Sequence, residues 1–268
     1  MSTFQDTTLA PSDVLHRVDA KGITTLTLNQ PERFNALSEV MLSALQAALN
    51  DIAEDEQVRC VVLAASGKAF CAGHDLKQMR ANPDKAYYQA LFARCGAVMQ
   101  SIVHLPVPVI AKVQGIATAA GCQLVASCDL AVAASSACFA VSGINVGLFC
   151  STPAVALSRN VTRKRAMEML LTGEFISAAQ AAEWGLINRV ADDNALDDAV
   201  EALAESICAK SAVAVRTGKA MFSRQLTMPL DEAYAFAGEA MACNMQAEDV
   251  AEGIDAFIAK RKPQWRHR

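Results

Sequence analysis

The stretch that most constrains the fold lies between residues 107 and 129. An apolar run, Val107-Pro108-Val109-Ile110-Ala111-Lys112-Val113, bends at Gly115 and enters Ala117-Thr118-Ala119-Ala120-Gly121, a set of very small residues that opens a helix. Small residues at a strand-to-helix junction let a second backbone or a ligand come within contact distance. The first N–H groups of a helix have no internal acceptors, and the helix dipole makes that end electropositive. The stretch therefore reads as a backbone-lined socket for a polarised oxygen, or as a tight helix-on-sheet contact. Taken alone it does not separate the two.

The rest of the chain repeats the same grammar. Residues 14–18 and 23–28 flank Lys21-Gly22 and read as a hairpin. Ser38 caps a helix reaching about residue 55, and Cys60-Val61-Val62-Leu63-Ala64 is an all-apolar strand of the buried parallel type. A helix over 84–104 ends before Pro106 and Pro108, and strands follow at 129–133 and 138–141. Ser151 and Thr152 are expected to cap a helix at Pro153. Ser177-Ala178-Ala179-Gln180 fits a capping box with its stop at Gly185. A short strand at 187–190 precedes helices near 194–209, 212–226, 229–246 and 248–260. The pattern predicts an α/β core over residues 1–195 and a helical C-terminal region over 196–268.

Composition narrows the function. Of the 268 residues, 53% are hydrophobic and 19% charged, enough apolar surface for a large core. The net charge of −4 argues against nucleic acid or an anionic membrane as the main partner. No apolar run is long enough to span a bilayer. Residues 1–13 have neither a secretory nor a transit pattern, so a cytoplasmic location is expected. Nine cysteines, mostly in apolar runs, fit reduced thiols, and the scattered histidines offer no metal site. Gly67-Lys68 lacks the rest of a phosphate-binding loop, and the signatures of dinucleotide binding, serine hydrolysis and zinc proteolysis are missing.

Two loops look alike. Ala72-Gly73-His74-Asp75 and Ala119-Ala120-Gly121 each follow a buried strand and precede a helix. One N–H from each, meeting at one oxygen, makes an oxyanion hole. Residues 68–77, Lys-Ala-Phe-Cys-Ala-Gly-His-Asp-Leu-Lys, followed by Gly115-Ile116-Ala117-Thr118-Ala119-Ala120-Gly121-Cys122-Gln123-Leu124, resemble the crotonase (enoyl-CoA hydratase/isomerase) superfamily. Pro31-Glu32-Arg33-Phe34-Asn35-Ala36-Leu37, residues 171–178 and residues 253–265 carry the likeness along nearly the whole chain.

The resemblance implies a crotonase-like fold of repeated β-β-α turns and an acyl-CoA thioester ligand. Coenzyme A would arrive as part of the substrate, with no separate cofactor and no metal. The helical C-terminal region would assemble a homotrimer or a dimer of trimers. The hole donors would be the amides of His74 and Ala120. Arg33, Phe34, Ala36, Ala72, Asp75, Leu76, Lys77 and Gly121 would line the CoA and substrate channel. Phe257 and Lys260 would reach CoA, in a neighbouring subunit if not their own; alternatively, residues 260–262 are a basic helix end answering its own dipole.

The chain departs from the hydratase pattern at both acids. As the resemblance has it, the two catalytic glutamates fall on Gln123 and Gly143. An amide orients a water but exchanges no proton near neutral pH, and glycine offers nothing. Each positioned acid or base is typically worth roughly 10²–10⁴-fold, so hydratase turnover is expected to be weak. Hydrolysis or decarboxylation on the oxyanion hole alone, and plain thioester binding, stay open. Among nearby side chains, His74 has a pKa suited to proton transfer at neutrality, though sequence leaves its direction open. Cys150 is more often inert packing than a nucleophile.

Overall fold

The computed structural model describes residues 11–268, so the reading of residues 1–13 falls outside it except for its last three. After a short helix α1 (Pro11–Val14), β1 (Leu15–Ala20) and β2 (Ile23–Leu28) form the expected antiparallel hairpin. It turns through Lys21 and Gly22, both at positive φ, 51° and 78°, as a two-residue hairpin turn of matching twist requires. Helix α2 (Glu39–Glu54) begins at Ser38, whose hydroxyl accepts from Met41 N, and buries Met41, Leu42, Leu45, Leu49 and Ile52.

Three strand pairs then repeat. They are β3 (Cys60–Ala65) with β4 (Ala69–Cys71), β5 (Val109–Val113) with β6 (Ile116–Thr118), and β7 (Leu130–Ala134) with β8 (Cys138–Ala140). Helices α3 (Leu76–Ala81) and α4 (Lys85–His104) follow the first pair, and α5 (Ala120–Ser127) follows the second. After the third come α6 (Ser151–Leu157) and α7 (Arg163–Thr172). The first strand of each pair joins a six-stranded sheet, in the order β1-β2-β3-β5-β7 with a last strand at Arg189–Ala191, and the second joins a four-stranded one, β4-β6-β8 with a last strand at Ile176–Ser177. The chain thus steps between two sheets at every turn. Strand β9 (Ile176–Ser177), helix α8 (Ala178–Trp184) and β10 (Arg189–Ala191) close the set, with the predicted capping box present at Ser177 and Gln180.

The register decides where the chemistry goes. Strands β4, β6 and β8 are parallel neighbours, so their C-terminal ends leave the small sheet at one edge. The three connections that emerge there carry His74, Ala119-Ala120 and Gly143.

Helix α9 (Leu196–Cys208) is part of the core: Leu196, Val200, Leu203 and Ala204 join the same hydrophobic cluster as the large sheet. The helical region leaves the sheet only with α10 (Ala212–Gln225), α11 (Leu230–Asn244) and α12 (Glu248–Ile258). Lys219 Nζ on α10 ties that region down, donating to Ile102 O (2.9 Å), Val107 O (2.9 Å) and Asp129 Oδ2 (2.6 Å). One local expectation is corrected. Neither Ser151 nor Thr152 caps α6: its N-cap is Cys150, with no side-chain bond, while Ser151 Oγ donates back to Phe149 O. The connection from β8 to α6 begins with a 3-10 turn, Ser142–Val146, stopped by Gly147 at φ 79°.

Candidate active site

The site starts from how Asn35 holds two loops together. Asn35 is fully buried; its Nδ2 donates to Ser66 O and Ala69 O, each at 2.8 Å, and its Oδ1 accepts from Gln30 N at 2.8 Å. Phe34 and Asn35 sit at φ 51° and 52°, a left-handed pair that Asn tolerates and Phe does not favour. The bend brings Ala72 N to Phe34 O (3.0 Å) and Leu37 N to Gly73 O (2.8 Å), an isolated parallel bridge between Leu37 and His74. Phe34 is thereby joined to Ala72, and the Arg33 guanidinium stands 3.9 Å from Asp75 Oδ2.

Because peptide groups alternate in direction along an extended strand, the His74 amide faces away from Leu37. On that other side lies the start of α5. A side-chain carbon added to Gly73 (φ 90°) would stand 2.9 Å from the Ala119 methyl and 3.2 Å from Ala120 N. Ala119 itself is at φ 52°, ψ −121°, a region that residues with a side chain rarely enter, at a cost of about 1–3 kcal/mol. That strained residue ends the extended chain, donates its own N–H to Ala140 O (3.0 Å) and leaves Ala120 as the first residue of α5. Among the described residues, neither His74 N nor Ala120 N donates to any protein acceptor. Two unmet N–H donors at adjoining loops are what an oxyanion hole requires.

Two acceptors are also unmet. Gln123 is 5% exposed, and its Oε1 is buried without a partner. The His74 ring places Nδ1 at 3.4 Å from Leu37 O; a carbonyl only accepts, so the proton sits on Nδ1 and Nε2 is bare. Nε2 is buried and likewise unpartnered, with the Phe92 ring 5.5 Å away, centroid to centroid. Burial holds the His74 pKa below its usual value, the Leu37 carbonyl opposing, so the ring is neutral at pH 7.

Other expected residues fall differently. Asp75 is occupied locally: its Oδ1 caps α3 by accepting from Lys77 N (2.9 Å) and Gln78 N (3.1 Å), and Arg33 lies 3.9 Å from its Oδ2. Leu76 and Lys77 are exposed. Gly121, expected in the substrate channel, is buried, and a side chain there would overlap the Cys71 carbonyl, so its smallness serves packing against β4. Gly143 leaves no room for a side chain: a side-chain carbon would sit 2.6 Å from Leu148 O and 2.7 Å from Cys150 Sγ. Burial raises the Cys150 pKa against a hydrogen bond from the Gly143 amide, which keeps the thiol protonated and poorly nucleophilic. Phe257 is 85% exposed on α12, and Lys260 is exposed at φ 52°. Arg261 is held by Glu252 at 2.6 and 2.8 Å, which leaves Lys260 and Lys262 as the basic groups of that helix end facing outward. Sequence reading assigned Ala119, Leu37 and Phe92 no individual role; the shape of the Ala119 backbone has no signature in an alanine.

A cavity of about 450 Å³ lies elsewhere, lined by Pro108, Asp129, Lys219 and Phe222 among others. Lys219 in its wall is already held by two carbonyls and a carboxylate, so that cation has no bond left to orient a ligand. No group of three or more His, Cys, Asp or Glu among the described residues is placed to hold a metal ion, and no described helix is long and apolar enough to cross a membrane.

The family profile described as enoyl-CoA hydratase/isomerase matches residues 19–268. The chain belongs to that family. Its two-sheet arrangement of repeated β-β-α turns is the crotonase fold. Against a crystal structure of enoyl-CoA hydratase from Mycobacterium smegmatis the TM-score is 0.93 at 62% identity, over 94% of this chain and 98% of that one. Against the crystal structure of human enoyl Coenzyme A hydratase domain-containing protein 3 it is 0.92 at 44% identity, over 94% of this chain and 100% of that one. The rat enoyl-CoA hydratase domain-containing protein 3 is 47% identical over 246 residues, 92% of this chain and 82% of the rat protein. These relatives overturn the cytoplasmic expectation: the rat, mouse, frog and human proteins are all named as mitochondrial.

Proposed function

We propose that this crotonase-family chain is an acyl-CoA enzyme that holds the thioester carbonyl between the amides of His74 and Ala120 and stabilises the oxyanion or enolate formed there. The observation that carries the reading is the pair of unpartnered N–H groups on adjoining loops, with Ala119 strained between them. A donor of this kind typically contributes about 2.7–4 kcal/mol to the transition state. Arg33, Phe34, Ala36, Leu76 and Lys77 would flank the coenzyme, and no separate cofactor is required. The outward-facing Phe257 and Lys260 would serve a neighbouring subunit. A homotrimer or dimer of trimers fits the exposed Leu230, Tyr234 and Met241 of α11, a helix with no buried residue in the single chain.

Hydration of short trans-2-enoyl-CoA should be weak, because Gln123 exchanges no proton and Gly143 has no side chain. The same two residues favour a second reading, a thioester-binding protein without turnover. Calorimetric titration with acyl-CoA, paired with product detection by mass spectrometry over a panel of thioesters, separates the two. Absence of any acyl-CoA binding would remove both.

A further inference from the structure

We propose that the His74 imidazole is the proton-transfer group of this site, acting through Nε2 on a water that Gln123 Oε1 also holds, and that the reaction is hydrolysis of the acyl thioester. The proposal rests on the acyl-CoA reading above and goes beyond it by naming the base and the reaction.

Four groups on the two loops and the first turns of α5 lack a partner among the described residues: two backbone donors, His74 N and Ala120 N, and two buried acceptors, His74 Nε2 and Gln123 Oε1. A buried polar atom left bare costs about 1–3 kcal/mol, so native proteins rarely leave several together without a ligand or water to meet them. Helical side chains lean toward the N-terminus, which lays Gln123 over the Ala119-Ala120 turn. The His74 ring hangs from the very residue whose amide borders that turn. A carbonyl oxygen satisfies the two donors. A water, with two O–H bonds, satisfies the two acceptors.

The charge balance selects the reaction. Both acceptors are neutral lone-pair donors, so a carboxylate on the acyl group would be repelled by them; this disfavours decarboxylation. Hydration needs a second acid for the α-carbon, and the second position, Gly143, is closed by Leu148 O and Cys150 Sγ. Hydrolysis needs one base that cycles. His74 Nε2 removes a proton from water, the water oxygen bonds to the thioester carbon, and the carbonyl becomes an oxyanion between the two amides. Collapse re-forms the carbonyl and breaks the carbon–sulfur bond, and the departing thiolate takes the proton from the imidazolium. Thioester and water become carboxylic acid and CoA thiol. Burial keeps the ring in its basic form at neutral pH, with Nδ1–H directed at Leu37 O.

The test uses the full chain with acetyl-, hexanoyl- and lauroyl-CoA, and CoA release is followed by mass spectrometry so that the protein's own thiols do not interfere. His74→Ala keeps the backbone amide. It should therefore retain affinity for a non-hydrolysable acyl-CoA thioether while kcat falls by about 10²–10⁴-fold. The wild-type loss of rate on the acid side should vanish in the variant, and added imidazole should restore part of the rate. Undiminished turnover in His74→Ala overturns the proposal. So does wild-type protein that binds the thioether but releases no CoA, and that result leaves the acyl-CoA reading standing. Failure to bind the thioether at all defeats both.

Discussion

Gly73 and Ala120 meet across the edge of the small sheet so closely that a side-chain carbon on Gly73 would lie 3.2 Å from the Ala120 nitrogen. The same carbon would press on the Ala119 methyl at 2.9 Å, and Gly73 sits at φ 90°. Gly73→Ala should therefore spread the two loops and strain the backbone together. The expected result is a loss of about 1–3 kcal/mol in urea unfolding and a drop of tenfold or more in acyl-CoA affinity by calorimetry. Unchanged affinity would mean that the spacing of these loops does not define the site.

Restoring the two family glutamates should not restore a hydratase. Gln123→Glu places a carboxylate over the N-terminal turn of α5, where space for a side chain of that length already exists. Gly143→Glu meets the Leu148 carbonyl at 2.6 Å and Cys150 Sγ at 2.7 Å, and the first of these is backbone that no rotamer moves. The double variant should lose stability and gain little hydration of crotonyl-CoA relative to Gln123→Glu alone. Hydratase turnover near that of ordinary family members in the double variant would contradict this account of Gly143.

Much of this arrangement was legible in residue order, and the rest was hidden for identifiable reasons. Ser38, Ser177 and Gly185 announce helix ends through local chemistry, and the structure has them as read. The paired small-residue loops stand out because glycine and alanine clusters are local too. Strands β4 and β6 did not, because each is three residues set beside glycine in a stretch of small residues that reads as loop. The positive φ of Ala119 is imposed by the parallel strands on either side, not by alanine. The block at Gly143 comes from residues beyond a 3-10 turn, and Asp129 finds Lys219 from a distant helix. Contacts of that kind belong to topology.

The Lys219–Asp129 pair should be a major tether of the C-terminal helices. Lys219 has a side chain 7% exposed and three acceptors within 2.9 Å; Asp129 also accepts from Val109 N at 2.8 Å. Burial pushes the Asp129 pKa up, with Lys219 opposing. Lys219→Met removes the cation and leaves two carbonyls and a partly exposed carboxylate without that donor, a loss of about 1–3 kcal/mol. Lys219→Met combined with Asp129→Asn should recover a large part of it. Urea midpoints for the set check this; equal stability of the single and double variants would contradict it.

The chain end should undock in acid. Trp265 Nε1 donates to Ala209 O (2.9 Å) and its ring covers Gly253, while Asp249 accepts from the amides of Arg266 (2.7 Å) and His267 (3.1 Å). The His267 ring faces two donors, Ala212 N at 3.3 Å and Arg59 Nη1 at 3.0 Å. A neutral imidazole has one lone pair to offer them, and an imidazolium has none. Burial first, then the Arg59 charge, holds the His267 pKa below its ordinary 6.5, with Asp249 opposing and Arg216 adding to the depression. A depressed histidine stabilises the docked state fully above that ordinary value, and the contribution is lost as pH falls through the folded pKa. Asp249 is also depressed: burial would raise it, but the Ser211 hydroxyl and the two amides outweigh that, so its contribution is lost only further into acid. In a Trp184→Phe background, Trp265 emission should shift toward that of exposed indole in two steps, and His267→Gln should remove the upper one. A single step at strongly acid pH in both proteins would rule out the histidine's part.

The most direct measurement is a crystal structure with a non-hydrolysable acyl-CoA analogue that keeps the carbonyl. The account predicts its carbonyl oxygen at about 3 Å from both His74 N and Ala120 N, with the acyl carbon facing the side of the site that holds Gln123 and the His74 ring. A carbonyl bound elsewhere, or the two amides directed away from a common point with the ligand in place, would contradict it.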